Sequence, residues 1–185
     1  MIRVRRTRSP RVAQGDVIRD VDYIEHVHER GGILEVSKVR FPAVLVLTQD
    51  CDLEQDHTHR KAKASERTSE DKLLFSVLVA PLYNVEHVYT GQHLSELKQR
   101  MQQINRGRSP GDNLRRNETP RYHFLDFPAT VALPPSVVDF KHYFSVNVAE
   151  LKRRKSRDFV CQLADLYRED VSQRFSSFLA RIGLP

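Results

Sequence analysis

The sequence predicts an α+β fold: a curved, mostly antiparallel, barrel-like β-sheet with an inserted helix and a helical carboxyl end. The clearest strand signal is the apolar run Ala43–Leu47, which follows Pro42, because a short continuous apolar run is typical of a strand buried on both faces. The helix signals are apolar side chains spaced by three and four residues. They occur over residues 91–106 and again after residue 147.

Short apolar runs separated by glycine or proline predict the strands in chain order. These strands cover residues 15–21 with a continuation over 23–27, then 33–39, 41–48, 73–80, 121–127, 129–133 and 137–146. Together they form a barrel domain, residues 15–146. Within it, the polar stretch 54–72 is predicted as a surface insertion and residues 91–106 as a helix that ends at Gly107.

Two segments flank the barrel domain. Residues 1–14 are predicted as a loose basic arm, and residues 147–185 as a helical segment that packs on the same domain. Asn147 and Glu150 match a capping box at the start of this segment, and Gly183–Pro185 matches a helix stop. We expect its apolar face to pack on the sheet; a homodimer formed through that face is the alternative.

The composition is that of one soluble domain. The chain has 185 residues, of which 39% are hydrophobic and 29% charged, and it has no apolar run near the roughly 20 residues of a membrane helix. Its amino terminus lacks the apolar core of a secretory signal. Two cysteines, Cys51 and Cys161, fit a reduced protein better than a disulfide framework. We therefore expect a cytoplasmic protein of bacterial type with no membrane partner.

Positive charge gives the chain a formal net charge of +6 and is concentrated in the amino-terminal arm and in Lys152–Lys155. Because such clusters neutralise phosphates, single-stranded RNA or DNA is the expected partner. Simple solvation of these charges and an acidic protein partner are the alternatives. The predicted nucleic-acid contacts are Arg3, Arg5, Arg6, Arg8, Arg40, Lys152, Arg153 and Arg154.

A polar cluster, Thr48–Asp52, follows the central strand at the rim of the core. Cys51 is a candidate nucleophile with His57 or His59 as its base, but the flanking carboxylates disfavour a thiolate. The same side chains are types that bind zinc, yet their spacing matches no closed zinc pattern, and we predict neither a metal nor another cofactor.

Metal-free RNA cleavage needs a base and a cation. The candidate catalytic residues are Arg40, Thr48, Asp50, Cys51 and Asp52, and the alternative for each is a structural role.

Three motifs, Gly15–Val17, Phe41–Val46 and Phe75–Leu82, occur in an order that resembles the MazF/PemK toxin family over residues 14–84. Members of that family are small SH3-like barrels that cut single-stranded RNA without a metal. The resemblance therefore implies an SH3-like, PemK-like antiparallel β-barrel and a role in RNA binding.

The catalytic positions of that family are changed in this chain. The family's arginine directly precedes the proline of the second motif, where this chain has Phe41, with Arg40 one residue earlier. A shift of one residue along a strand points the side chain to the other face of the sheet. The family's threonine follows the Pro-Leu pair, where this chain has Tyr83. Two further stretches, Thr48–Leu53 and residues 167–185, look like a group of uncharacterised bacterial proteins.

The leading functional hypothesis is a nucleic-acid-binding protein related to the MazF/PemK toxins, as a divergent or inactive endoribonuclease. One alternative is an enzyme with a thiol or metal centre at Asp50-Cys51-Asp52. Another is a non-enzymatic interaction subunit of a toxin–antitoxin or phage-defence system, which would bind a protein encoded in the same operon. The salt dependence of RNA binding and the alkylation of Cys51 distinguish the three.

Overall fold

The structure, a computed structural model, describes residues 1–67 and 69–181 and has an α+β architecture with a curled antiparallel half-barrel. Within these residues the strands are β1 (Val4–Arg5), β2 (Asp16–Arg30), β3 (Ile33–Val46), β4 (Ser76–Asn84), β5 (Tyr122–Leu125), β6 (Ser136–Asp139), β7 (Phe144–Asn147) and β8 (Phe159–Leu163). The α-helices are α1 (Asp50–Lys61), α2 (Val85–Thr90), α3 (Gly111–Leu114), α4 (Val148–Asp158) and α5 (Asp165–Leu179). Single 3₁₀ turns occur at Ala64–Glu66, Ser95–Leu97 and Phe140–His142.

The strands follow the order β1-β8-β2-β3-β4-β6-β5, with β7 also paired to β4. Each of these pairs is antiparallel. The partner of β4 along one edge changes from β7 at residues 76–79 to β6 at residues 82–84. Pro81, which lacks an N–H, falls at the gap between these two ladders, so β4 continues through it instead of ending there as predicted.

The sheet is covered on both faces, and successive residues of its middle strands alternate between two cores. Val17 of β2 and Leu45 of β3 pack in the core that includes the α5 residue Phe175. Their neighbours Ile18 and Val44 pack in the core that includes Leu151 of α4. The prediction that the run after Pro42 is a strand buried on both faces is therefore confirmed.

The first half of the predicted strand set is joined into two long strands. Residues 15–21 and 23–27 are one strand, β2, and residues 33–39 and 41–46 are one strand, β3. Their outer parts form a two-stranded ribbon (residues 24–38), which pairs with no other described strand. The ribbon exposes apolar side chains, among them Ile24, Val27, Ile33, Leu34 and Val36.

The polar stretch 54–72, predicted as a surface insertion, begins inside a helix that was not predicted, since the chain is helical from Asp50 to Lys61. This helix, α1, buries only Leu53 and Asp56, so its apolar periodicity is too weak to be seen in the sequence. Its first turn contains the acidic residues Asp50 and Asp52, which interact favourably with the helix dipole.

The predicted helix over residues 91–106 is also wrong, since the segment contains a single 3₁₀ turn at Ser95–Leu97. Two left-handed residues, Gly91 (φ +71°) and Lys98 (φ +57°), interrupt any continuous helix. The segment instead packs across α2 as irregular chain, and the Ile104 N–H donates to the Tyr89 carbonyl at 2.9 Å. Its apolar side chains pack against that helix.

The carboxyl-terminal prediction is correct at its start and wrong in its middle. Asn147 caps α4 by accepting from the N–H groups of Ala149 and Glu150. Strand β8 then interrupts the predicted helical segment and pairs with both β1 and β2, so the amino-terminal arm is part of the sheet. The predicted strand over 129–133 is absent from the described strands, and the helix stop at Gly183–Pro185 lies outside the described residues.

Each described helix is too short or too polar to cross a membrane.

Candidate functional site

A cluster of ionisable side chains lies where β4 pairs with β6. Tyr83 is near the end of β4 and pairs with Val137 of β6, and β6 ends at Asp139. The 3₁₀ turn that follows Asp139 carries His142. We name this set the central cluster; its members are Tyr83, His93, Arg121, Asp139 and His142.

Asp139 is the buried anion of the central cluster. Its side chain is 1% exposed and accepts hydrogen bonds from Arg121, whose Nε lies 2.9 Å from Oδ1 and whose Nη2 lies 2.5 Å from Oδ2. The N–H of Lys141 donates to Oδ1 at 3.0 Å. Strand β5 positions the arginine, because the next residue, Tyr122, pairs with Asp139. The buried charge is therefore both paired and hydrogen-bonded.

His142 connects Tyr83 to Asp139. Its Nδ1 lies 3.0 Å from the Tyr83 hydroxyl oxygen and 3.6 Å from Asp139 Oδ2. Burial lowers the pKa of His142, which keeps the imidazole neutral at pH 7. Burial, together with the charge of Asp139, raises the pKa of Tyr83, so its hydroxyl stays protonated, and the tautomer of His142 decides which of the two groups donates the hydrogen bond between them.

His93 lies against the same tyrosine. The ring centroids of His93 and Tyr83 are 4.9 Å apart with an edge-on orientation. Both ring nitrogens of His93 are buried and have no hydrogen-bond partner within the described residues. Burial lowers the pKa of this imidazole as well. A buried polar group without a partner is costly, so each nitrogen is a place where a ligand atom would be stabilised.

Two cavities adjoin the central cluster, and a third joins the first of them. The first, about 370 Å³, is lined by Arg40, Tyr83 and His93 among others. The second, about 500 Å³, lies on the other side of His93 and includes Arg121. The third, about 350 Å³, joins the first at Arg19, which lines both. We name the three together the groove.

Arginine residues occur along the whole groove. Arg6 and Arg157 line the third cavity and Arg108 lines the second. Arg19 is anchored by a hydrogen bond from its Nη2 to the Ala132 carbonyl at 2.5 Å. Of the predicted nucleic-acid contacts, Arg6 and Arg40 therefore line the groove, while the sequence prediction missed Arg19, Arg108 and Arg157.

The two basic stretches of the sequence meet in the structure. Arg8 donates to the Ser156 carbonyl, and Lys155 donates to Ser9 Oγ at 3.0 Å and to the Arg11 carbonyl at 2.5 Å. Residues 144 or more apart in sequence thus lie together beside α4, with Lys155 buried between them. Six of the predicted contacts line none of the three groove cavities: Arg3, Arg5, Arg8, Lys152, Arg153 and Arg154.

Arg40 and Arg154 share one carboxylate. Asp22 accepts from Arg40 Nε at 2.7 Å, Lys38 Nζ at 2.9 Å and Arg154 Nη2 at 3.3 Å. The hydrogen bond from Arg40 lowers the pKa of Asp22 to about 2, with Lys38 adding to the effect. Arg154 is also paired with Glu150, at 3.1 Å, so Arg40 and Lys38 are the cations that Asp22 holds at the edge of the first cavity.

Two of the predicted catalytic residues have structural partners. Thr48 Oγ1 accepts from the Leu78 N–H at 2.7 Å and so joins the ends of β3 and β4. Asp50 accepts two hydrogen bonds from Arg11, both at 2.8 Å, and lies 3.5 Å from Arg168. The hydrogen bonds from Arg11 lower the pKa of Asp50. Asp50 therefore anchors the amino-terminal arm to α1 and α5.

The cysteine and its candidate bases are only partly brought together. Cys51 is exposed, lies 3.7 Å from an Asp52 carboxylate oxygen, and shares a cavity of about 420 Å³ with His59. His57 lines a different cavity, of about 140 Å³, beside Lys152. Within the described residues, the one group of three or more possible metal ligands is His93, Asp139 and His142. The structure thus moves the strongest candidate site away from residues 48–52.

Comparison with models of protein families and with curated protein sequences finds no match. The site must therefore be interpreted from its own geometry and charges.

The central cluster escapes prediction from the sequence because its members are spread over residues 83–142 and belong to no short motif. One signal is nevertheless present in the sequence. Asp139 interrupts the otherwise apolar run Val137–Phe140, and a carboxylate at a buried strand position is expected to have a specific partner.

Proposed function

We propose that the protein binds single-stranded nucleic acid along the groove and is a divergent relative of the MazF/PemK toxins. The observation that carries this proposal is the continuity of three cavities, each of which contains at least one arginine. A chain of phosphates passing through them would meet a cation at every step.

The cavities suit nucleotides in size and in surface chemistry. Each has a volume between about 350 and 500 Å³, within the range of small-molecule sites. Aromatic or imidazole rings line the first two cavities: Phe41 and His93 in the first, and Tyr122 in the second. Planar side chains stack on unpaired bases, which are accessible in single strands and not in duplexes.

The chain departs from the toxin family at two catalytic positions, which lie side by side in this structure. Phe41 and Tyr83 stand where that family has its catalytic arginine and threonine. Their rings are in contact, with centroids 6.4 Å apart, and both line the first cavity. Arg40 lines the same cavity, so a phosphate bound there has a cation within reach.

The test is the salt dependence of binding to a fluorescent single-stranded RNA of about 12 nucleotides, measured by anisotropy between about 50 and 200 mM salt. We expect affinity to fall steeply with salt. Arg19→Ala should weaken binding and reduce the slope of log K against log salt by about 0.7 for each phosphate that the variant no longer neutralises. Arg30→Ala is the matched control, because it removes the same charge from the end of the ribbon.

Salt-independent binding, or equal reductions of affinity in the two variants, would contradict the proposal. A DNA strand and an RNA duplex of the same sequence serve as competitors and define the preferred partner. The same samples run on a gel, with and without EDTA, separate simple binding from cleavage. If no complex forms, the protein-interaction alternative becomes the better explanation.

A further inference from the structure

We propose that His93, Asp139 and His142 form a binding site for one divalent transition-metal ion, with Zn²⁺ as the preferred probe. One ligand atom from each residue lies within 4.8 Å of the others. The inference stands apart from nucleic-acid binding, since it depends only on side chains of the central cluster.

The distance between His142 and Asp139 is close to the one that a tetrahedral ion requires, and His93 lies within 4.8 Å of both. Bonds of about 2.0–2.1 Å to nitrogen and oxygen place neighbouring ligand atoms roughly 3.4 Å apart. His142 Nδ1 lies 3.6 Å from Asp139 Oδ2 and 3.0 Å from the Tyr83 hydroxyl oxygen. The hydroxyl oxygen or a water would take the fourth position. The ion would replace the hydrogen bond with Tyr83 as the partner of His142.

His93 supplies the second observation that points to a ligand. Both of its nitrogens are buried and neither makes a hydrogen bond of good geometry within the described residues, although a contact with the His87 backbone partly offsets the effect of burial on the pKa of this imidazole. A role in packing alone does not require an imidazole, because a leucine or phenylalanine would fill the space without burying two unpaired polar atoms. An ion bound to one nitrogen satisfies it. The residue lies in the irregular segment between Gly91 and the 3₁₀ turn at Ser95–Leu97.

The remaining residues of the cluster orient the ligands. Arg121 donates to both oxygens of the Asp139 carboxylate and the Lys141 N–H donates to Oδ1, which fixes the carboxylate with Oδ2 3.6 Å from His142 Nδ1. Outer contacts of this kind fix ligand geometry in metal sites. Two imidazoles and one carboxylate form a donor set typical of sites with three protein ligands and one open position.

The charge of the site suggests what would occupy that open position. Arg121 already neutralises Asp139, so a divalent ion adds two uncompensated positive charges. The ion would lie beside His93, which lines both the first and second cavities. An anionic oxygen, such as that of a phosphate in the groove, is the ligand that balances this charge.

The experiment measures metal binding by the full chain alone. Protein freed of metal with a chelator is titrated with Zn²⁺ against a chromophoric indicator, and with Co²⁺ while the visible spectrum is recorded. We expect one ion per chain, with a Co²⁺ spectrum of tetrahedral intensity. His93→Ala and His142→Ala should each weaken binding at least about tenfold, while His26→Ala, an exposed histidine on the ribbon, should not.

Circular dichroism and thermal melting confirm that each variant is folded. If His142→Ala does not fold, His93→Ala decides, since its imidazole nitrogens make no hydrogen bond within the described residues. Absence of saturable binding to the wild-type protein overturns the proposal. Unchanged binding in His93→Ala also overturns it, because the ion would then be held elsewhere. No nucleic acid is present, so failure here leaves the groove proposal intact, and failure of RNA binding leaves this site intact.

Discussion

Replacing Lys155 with methionine tests the structural importance of the most deeply buried ion pair in the described residues. Lys155 is 3% exposed, and its Nζ lies 2.6 Å from Oδ2 of Asp16, which is 1% exposed. The same ammonium group donates to Ser9 and to the Arg11 carbonyl. Methionine keeps the length of the side chain and removes the charge. Asp16 then keeps one hydrogen bond, from the Ala13 N–H at 2.7 Å.

The expected destabilisation is large because one charge is left buried without its partner. Breaking a buried pair from one side costs about 3–5 kcal/mol, against a total stability of about 5–15 kcal/mol for a typical domain. For a chain of this size, each kcal/mol lowers the melting temperature by roughly 2–4 °C, so Lys155→Met should melt roughly 6–20 °C lower.

Urea denaturation followed by circular dichroism measures the free energy of unfolding. Lys152→Met is the matched control, because it makes the same change at an exposed position of the same helix and should cost less than about 0.5 kcal/mol. Adding Asp16→Asn to Lys155→Met should cost at least about 1 kcal/mol less than the sum of the single changes. If Lys155→Met is as stable as Lys152→Met, the reasoning is refuted.

Two further predictions concern the edge of the first cavity and the segment that carries His93. Because Arg40 lowers the pKa of Asp22 to about 2, this ion pair stabilises the fold above about pH 4, and its contribution to stability is lost as pH falls towards 2. Asp22→Asn should therefore make the free energy of unfolding depend less on pH on the acid side. An unchanged pH dependence would count against the ion pair. Gly91→Ala should destabilise the protein and weaken binding in the groove, because a Cβ there would lie 2.2 Å from the Met101 carbonyl oxygen at φ +71°. Gly107→Ala should have little effect, because a Cβ at Gly107 would lie 3.6 Å from the nearest atom. Equal melting temperatures of the Gly91→Ala and Gly107→Ala variants would contradict this prediction.

The sequence predicts the elements whose signals are local. The run after Pro42 has a strand pattern because both faces of β3 are covered, and Asn147 has a cap pattern because its side chain bonds to the next turn. The antiparallel α+β class follows from such signals. The sequence does not distinguish a helix from an irregular segment that packs across α2 over residues 91–106. The spacing of the apolar residues indicates which side chains are buried, but not which element they pack against.

The candidate site depends on contacts that no local pattern contains. Tyr83 and Asp139 meet only because β4 pairs with β6, and Arg121 reaches Asp139 only because β5 pairs with β6. Strand β8 is hidden in the sequence for a related reason. Its alternating burial over Phe159–Leu163 lies between two helices, so its apolar residues merge with theirs into what looks like one helical stripe.

The ribbon of residues 24–38 has a practical consequence. Six paired residues on each strand extend it by roughly 20 Å, and its pairing is internal, so its register is set by its own cross-strand bonds and by the turn at Gly31-Gly32. Neither glycine has an atom within 4 Å of the place where a Cβ would stand. The entropy of closing a loop grows slowly with its length. The turn is thus a suitable attachment point for a fluorophore, an affinity tag or an inserted domain that leaves both cores intact.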